Sequence, residues 1–474
     1  MDVHVSLLGR RDLTGEIYRQ LRAAILEGRL RSGDPLPPSR ELAARLSVSR
    51  TTVAVAYDRL ISEGFAVARV GSGTFVSPGL AARGKPAGTP VGVLTPRPVW
   101  AGVPVPATDR WRSARYDFRP GIPDARLFPY RAWRRLMVRQ LRPSAVGFGT
   151  YGDPPGHLGL REAICRHLGT SRGVRALAED VVITNGTQQA LDVVARVLLE
   201  PGDCVAVEDP SYSPPRRLFA SLGMRVAGVP VDDEGLVVDA IPPDARFVYV
   251  APSHQFPLGM SMSLPRRLAL LDWAQQHNAA IVEDDYDSEF RYGGRPIEPL
   301  QALDASGRVI YVGTFSKSLL ATLRLGFVIV PASLRTATRA AKFLSDWHTA
   351  LPAQAALADF IDEGGFARHV RRMRSVYRAR HECIVAALER DFRGLLRPVP
   401  SSVGLHLSAL ACPDATEAIP AALRRAQAAD VACYPLSLYA AGPAPRAGLV
   451  IGYGSIPTED IPEGMRRLRH SFDG

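Results

Sequence analysis

Val282-Glu283-Asp284-Asp285-Tyr286-Asp287, Gly313-Thr314-Phe315-Ser316-Lys317-Ser318-Leu319 and Leu323-Arg324-Leu325-Gly326 decide how this chain is read. Each piece follows or adjoins an apolar run of buried-strand type: Ala279 to Val282, Val309 to Val312, and Leu325 to Val330. In open α/β sheets ligands sit beyond the carboxyl ends of the strands. An acid, a lysine and an arginine are therefore expected to converge on one crevice. Lysine is scarce, and Lys85, Lys317 and Lys342 are the only three. Lys85 lies in a Pro/Gly-rich stretch and Lys342 is expected on an exposed helix. Lys317 alone follows a buried strand directly.

Pyridoxal phosphate (PLP) needs this set of groups. A lysine amine forms the Schiff base with its aldehyde, and an acid keeps the pyridinium nitrogen protonated. The reading casts Lys317 as the Schiff-base lysine, Asp284 as the pyridinium partner and Tyr286 as a phenol on the ring oxygen. Arg324, Thr314 and Ser316 are cast as phosphate holders. Taken alone, Lys317 is better explained as a solvated loop lysine; the ordered set is not. The stretch resembles the fold-type I aminotransferases, in which a strand-end Asp precedes an S-K lysine and an arginine follows it. The resemblance runs from about Tyr116 to the C-terminus.

Composition sets the frame. The chain has 474 residues, enough for two or three domains, and 46% hydrophobic content is ordinary for a globular protein. No apolar run is long enough to span a bilayer, and the N-terminus carries no signal-peptide pattern. The five cysteines lack metal spacing, so no metal is expected. A cytoplasmic location and no membrane partner follow as expectations. The net charge of +11 is compatible with a nucleic-acid partner without showing one.

Leu13 to Gly28 reads as a helix through Ile17, Leu21 and Ile25, with Gly28 as its stop. Ser39 is expected to cap a second helix carrying Leu42 and Leu46 inward. After a tight turn at Ser47-Val48, Ser49 caps a third helix with Val53, Tyr57, Leu60 and Ile61 on one face. Phe65 to Val67 and Thr74 to Val76 flank Gly71-Ser72-Gly73 as a hairpin. This is a helix-turn-helix with a wing. Ser49, Arg50, Thr51 and Thr52 then stand where such a helix meets base edges. Arg40 suits a phosphate or guanine, and Arg69 with Gly71 and Ser72 suits the backbone or minor groove. The segments L-P-P-S-R-E-L-A, S-V-S-R-T-T-V and G-S-G-T-F-V resemble the GntR-type winged helix, which implies double-stranded DNA as a partner.

Residues 77–113 form a proline-rich linker between a DNA-binding domain at 1–76 and a PLP domain at 114–474. The PLP domain divides into a large part to about 340 and a small α/β part beyond it. Within it, Val181 to Ile183 is a strand ending at Asn185. Gly186, Thr187 and Gln188 then open a helix whose N–H groups can cradle phosphate. By resemblance, Tyr212 of Pro210-Ser211-Tyr212 stacks on the pyridine ring, and Tyr151 reaches the phosphate in another subunit's site. Gly149 to Gly156 lacks the G-x-G-x-x-G spacing, which disfavours a dinucleotide site.

Pro252-Ser253-His254-Gln255-Phe256-Pro257-Leu258-Gly259 resembles the MocR subfamily of GntR regulators, which fuses a winged helix to an aminotransferase-like domain. His254 is a candidate for the ring-oxygen contact that an asparagine makes in many aminotransferases; a hydrogen-bonded structural histidine is the other reading. Val450 stands where aminotransferases usually carry a carboxylate-binding arginine. The expected function is a PLP-dependent, DNA-binding transcriptional regulator that senses an effector: an amine, an amino acid or PLP itself. Arg216, Arg217 and Arg446 are candidates for a compensating cation. The resemblance implies a homodimer. The alternative is an active aminotransferase with an accessory DNA-binding arm.

Overall fold

The computed structural model describes residues 5, 12–79, 95–103, 114–146, 149–293, 297–442 and 446–473. It divides into two compact units, Met1–Arg97 and Pro98–Gly474. The expected linker straddles that division, and much of it, with Lys85, lies outside the described residues. Pro98–Gly102 is a 3-10 turn that lies against the helix Ser213–Ser221, so this part of the linker packs on the second unit.

The first unit holds helices α1 (Leu13–Leu26), α2 (Ser39–Leu46) and α3 (Arg50–Ser62) and strands β1 (Ala66–Arg69) and β2 (Gly73–Val76). Ile17, Leu21, Leu42, Val53, Ala56 and Leu60 are buried in one core, so the helical spacing places one face of each helix inward. Ser39 does not cap α2. It is the first helical residue, and Pro38 occupies the cap position without a side-chain bond. Between α2 and α3 the chain turns through Ser47 at φ 54°. Ser49 caps α3, its hydroxyl accepting from the Thr52 N–H at 3.1 Å. The hairpin pairs Ala66 with Val76 and Arg69 with Gly73.

The second unit is built on an eight-stranded sheet. Before it in the chain comes β3 (Tyr116–Asp117). The sheet strands are β4 (Val181–Thr184), β5 (Cys204–Asp209), β6 (Arg225–Asp232), β7 (Gly235–Leu236), β8 (Ala245–Val250), β9 (Ala280–Asp285), β10 (Val309–Thr314) and β11 (Gly326–Ile329). Their spatial order is β4-β11-β10-β9-β8-β5-β6-β7. The neighbours from β10 through to β6 run parallel. β11 is antiparallel to both β10 and β4. No crossover helix links Thr314 to Gly326, and without one a returning strand runs antiparallel. This puts the start of β11 beside the carboxyl ends of β4 and β10, which is why Arg324 reaches the same edge as Lys317.

β9 and β10 extend beyond their apolar runs, so Asp284 and Asp285 lie within the sheet, opposite Val312 and Gly313. A smaller antiparallel sheet has the order β12 (Leu396–Pro398), β13 (His406–Ala411), β16 (Gly448–Gly452) and β15 (Tyr434–Pro435). β14 (Val431–Ala432) pairs with β3, so the segment at 116–117 belongs with the C-terminal part of the unit. Lys342, expected on an exposed helix face, is fully buried; its amine donates to Asp346 and, at 3.3 Å, to Thr349 Oγ1. Its four-carbon stem takes the buried side of the helix Arg335–Asp346 while a carboxylate at i+4 satisfies its charge.

Gly326 has no room for a side chain. A Cβ there lies 2.7 Å from the Gly186 Cα and 3.0 Å from the Gly313 oxygen, both backbone atoms. Gly326→Ala is expected to lower stability by about 1–3 kcal/mol, checked by denaturant unfolding of the full chain followed by tryptophan fluorescence.

Candidate cofactor site

A cavity of about 810 Å³ opens at the carboxyl edge of the large sheet. Thr187, Gln188, Tyr212, Asp284, Tyr286, Thr314, Ser316, Lys317 and Arg324 all line it. They stand at or just beyond the carboxyl ends of β4, β5, β9 and β10, or in the loop before β11, so the sheet topology brings them together.

Successive side chains on β9 point to opposite faces, which separates the two adjacent acids. Asp285 turns away from the cavity and pairs with Arg172 at 3.0 Å and with the Tyr311 hydroxyl at 2.6 Å. Burial opposes ionisation of Asp285, but Arg172 and these hydrogen bonds hold its carboxyl below the usual range. Asp284 faces the cavity. Its Oδ2 accepts from the Tyr249 hydroxyl at 2.5 Å, while Oδ1 is buried and has no hydrogen-bond partner among the described residues. Burial is the main force raising its pKa, to about 7. Tyr249 was not anticipated from the sequence, because a tyrosine inside the apolar strand Ala245–Val250 reads as core.

The Lys317 amine donates to the Gly121 carbonyl at 2.8 Å. Burial lowers its pKa, against the opposing pull of Asp287 and Asp284. Thr314 Oγ1 donates to Ser316 Oγ at 3.0 Å and accepts from the Ser316 N–H at 3.2 Å, so the two hydroxyls sit side by side. Arg324 adopts φ 52° and donates to the Asn185 carbonyl. Gly186 is not among the residues lining the cavity. A Cβ at Gly186 meets the Arg324 guanidinium at 3.1–3.3 Å, so this glycine makes room for the arginine.

His254 does not line the cavity either. It is buried behind Tyr286, with Nδ1 2.9 Å from Asp287 Oδ1 and 3.0 Å from the Tyr286 hydroxyl. It orients the phenol from behind, which fits the structural reading of that histidine. Tyr151 is also outside the cavity, 74% exposed and stacked on Trp347 at 4.4 Å between ring centroids. Glu208, Asp287, Asp117, Arg119, His406, Tyr434 and Tyr439 line the cavity without having been singled out in the sequence. Asp287 closes the stretch that carries Asp284 and Tyr286; the others come from segments given no catalytic motif and meet only in the fold. Val450 is buried on β16 in an apolar cluster with Leu258, Met260, Leu436 and Tyr439; Tyr439 lines the cavity, and Val450 itself does not.

In the first unit Arg40, Ser49, Arg50 and Thr51 are exposed. The Thr52 hydroxyl is 2.7 Å from that of Ser49, so the cap occupies it. Val55, one turn on from Thr51, is 49% exposed and was not anticipated. Arg69 rests over the Phe75 ring at 4.9 Å, beside the wing tip where Gly71 has φ 76°.

Two family descriptions match the chain: "Bacterial regulatory proteins, gntR family" over residues 13–76 and "Aminotransferase class I and II" over 124–427. The chain is 39% identical to the probable rhizopine catabolism regulatory protein MocR of Rhizobium meliloti, across 96% of this chain and 93% of that one. It belongs to the MocR subfamily of GntR-type regulators. The HTH-type pyridoxine biosynthesis transcriptional regulator PdxR of Corynebacterium glutamicum is 33% identical, over 93% of this chain and 91% of the relative. Among solved structures, Pyrococcus horikoshii kynurenine aminotransferase in complex with PMP matches at a TM-score of 0.70. It is 29% identical and covers 76% of this chain and 91% of its own. The Thermus thermophilus α-aminoadipate aminotransferase LysN, complexed with N-(5'-phosphopyridoxyl)-L-leucine, matches at 0.69, with 30% identity over 76% and 92%. The C-terminal unit of this MocR-type regulator is thus an aminotransferase-like domain of fold type I, and its cofactor is PLP. The residues present fit that group: the unpartnered Asp284 oxygen is an acceptor for a protonated ring nitrogen, and the opposite wall offers hydroxyls and a guanidinium. No helix of the described residues is long and apolar enough to cross a membrane.

The raised pKa of Asp284 gives a pH test on the cofactor-free protein. An unfolded aspartate titrates near 4, and the folded one at about 7. Between those values the folded state holds a proton that the unfolded chain has released, so this group's contribution to stability falls as pH rises through the window. Cofactor-free Asp284→Asn is expected to melt above wild type at pH 8, the gap closing towards pH 4, in thermal unfolding followed by circular dichroism. The same variant is expected to retain PLP more weakly, read by dialysis and absorbance.

Proposed function

We propose that this regulator holds PLP on Lys317, reads a small-molecule effector in the same cavity, and binds promoter DNA through the start of α3. The observation that carries the reading is the meeting of Lys317, Asp284, Tyr286 and Arg324 on one cavity, in a chain that also bears a winged helix. PLP supplies an aldehyde for covalent attachment and a ring that withdraws electrons once protonated. Burial favours the neutral, nucleophilic form of the Lys317 amine. Asp284 holds the ring proton, and Tyr249 fixes the carboxylate. Tyr286, whose hydroxyl donates to the His254 carbonyl at 2.9 Å, lines the cavity and is the phenol that would turn to the ring oxygen. Arg324, Thr314, Ser316 and the Thr187–Gln188 helix start hold the phosphate. Tyr212, which lines the cavity at the end of β5, offers its ring as a stacking face.

An effector acts by binding one arrangement of the protein better than another. The assembly that fits is a homodimer. Exposed Tyr151 with Trp347, and Leu344 at 81% exposed on the preceding helix, form an apolar surface suited to a second copy of the chain. The regulator acts in the cytoplasm. Transamination is the second reading, favoured by the complete PLP-holding set, and keto-acid-dependent turnover of purified protein separates the two.

Purified protein is expected to be yellow, with borohydride locking the cofactor onto the peptide containing Lys317. Lys317→Ala loses that link and keeps reversibly bound PLP. A label on Lys342 overturns the assignment. On the DNA side, Arg50→Ala is expected to cost about 1–3 kcal/mol and relax specificity at one base pair. Arg40→Ala weakens all sequences alike and lowers the salt slope. Titration of labelled operator DNA at several salt concentrations reads both.

A further inference from the structure

The charges around the cavity discriminate among effectors. Among the described residues its cationic side chains are Lys317, Arg324 and Arg119. Under the cofactor reading, Lys317 carries the cofactor and Arg324 its phosphate. Arg119 is bound at both ends to Asp117. Its Nε donates to Oδ1 at 2.8 Å, its Nη2 to Oδ2 at 2.5 Å, and its backbone N–H to Oδ1 at 3.0 Å. Both side chains are largely buried, at 9% and 14% exposure, and both line the cavity. The pair carries no net charge.

The cavity is also lined by Ile122, Phe256, Leu405, Tyr434 and Tyr439, and by His406, whose ring clusters with the Asp287 carboxylate, itself part of the lining. Burial drives the His406 imidazole to the neutral form, helped by His254 beside it. None of the three arginines considered as substitutes for a carboxylate clamp lines this cavity. Arg216 donates to the Ala440 carbonyl at 3.1 Å and Arg217 is exposed. Arg446 lines a separate cavity of about 170 Å³. At position 450, where an aminotransferase clamp is expected, valine is sealed in the apolar cluster with Leu258 and Met260.

A carboxylate placed opposite the cofactor would therefore lose its water and meet a neutralised ion pair, two phenols and apolar walls. A buried anion without a charged partner is strongly disfavoured. A neutral group loses far less, and the Asp117–Arg119 pair offers it both an acceptor and donors.

Resting on the PLP reading of this cavity, we propose that the effector is a primary amine without a carboxylate, its uncharged end seated against the Asp117–Arg119 pair. Natural α-amino acids are poor ligands for this site. The Asp117 carboxylate is the specificity-determining group, because it cancels the guanidinium that stands at this end among the described residues.

The test uses full-length protein loaded with PLP and two probe pairs that differ only in the carboxylate: tyramine with tyrosine, and ethanolamine with serine. Each is titrated while the cofactor's visible absorbance is followed. The expected result is half-maximal change at a concentration at least about tenfold lower for the amine of a pair than for its amino acid. Asp117→Asn, which leaves the Arg119 charge uncancelled, is expected to shrink or reverse that ratio by improving the amino acid. Equal or tighter binding of the amino acids by wild-type protein overturns the proposal. So does an absorbance band that neither member of either pair perturbs. Failure of the PLP reading is recognised separately, as protein that shows no cofactor band before any ligand is added. The wild-type comparison stands alone if Asp117→Asn does not fold.

Discussion

Asp284 is a carboxylate taken out of water at the edge of a sheet, and much of the second unit is arranged around that cost. One oxygen is satisfied by Tyr249 from the neighbouring strand; the other has no partner among the described residues. Burial, the largest cause, makes the group reluctant to ionise at neutral pH, with Asp285 and Asp287 adding to it. A protonated ring nitrogen reverses that reluctance, so the same desolvation that destabilises the empty site increases the benefit of filling it. Asp285, one residue on, shows the contrasting solution: it is equally buried but paired with Arg172, and it ionises readily.

The antiparallel insertion of β11 is the second constraint. Because the chain returns from β10 without a crossover helix, Arg324 arrives at the carboxyl edge of the parallel strands instead of leaving it. The close approach of Gly186 and Gly326 brings β4 and its following helix against that arginine. Lys317 and Arg324 are thus near in sequence, and each is held by a different wall: Lys317 by the Gly121 carbonyl and Arg324 by the Asn185 carbonyl. The cavity between them combines groups that a transferase uses with a distal end in which positive charge has been cancelled. Binding without efficient turnover of amino acids is a coherent property of such a site, and it suits a domain joined to a winged helix.

Much of this was legible in the sequence where function depends on short spacing. The strand-end Asp284 and the S-K pair at Lys317 follow apolar runs and Arg324 directly precedes one, and the runs place them. The capped turn before Arg50 and the glycine hairpin are equally local, since cap and turn chemistry act over three or four residues. The fusion of a DNA-binding unit to an aminotransferase-like unit followed from those motifs and agrees with the family matches over 13–76 and 124–427.

What only the tertiary structure decided depends on distance along the chain. Periodicity cannot distinguish an in-strand tyrosine that serves Asp284 from one that fills a core, and Tyr249 does the former. It cannot show that Lys342 turns inward to Asp346, that Ser39 begins its helix without capping it, or that His254 braces Tyr286 instead of facing the cavity. Nor can it pair Arg119 with Asp117 and set both against residues near 406, 434 and 439, because no local pattern links those segments. The sequence by itself determined which chemistry-bearing residues stand at the ends of strands, since side-chain alternation and capping are local rules. The fold decided which charges are cancelled and which are left to meet a ligand, since burial and pairing are set by contacts between distant parts of the chain.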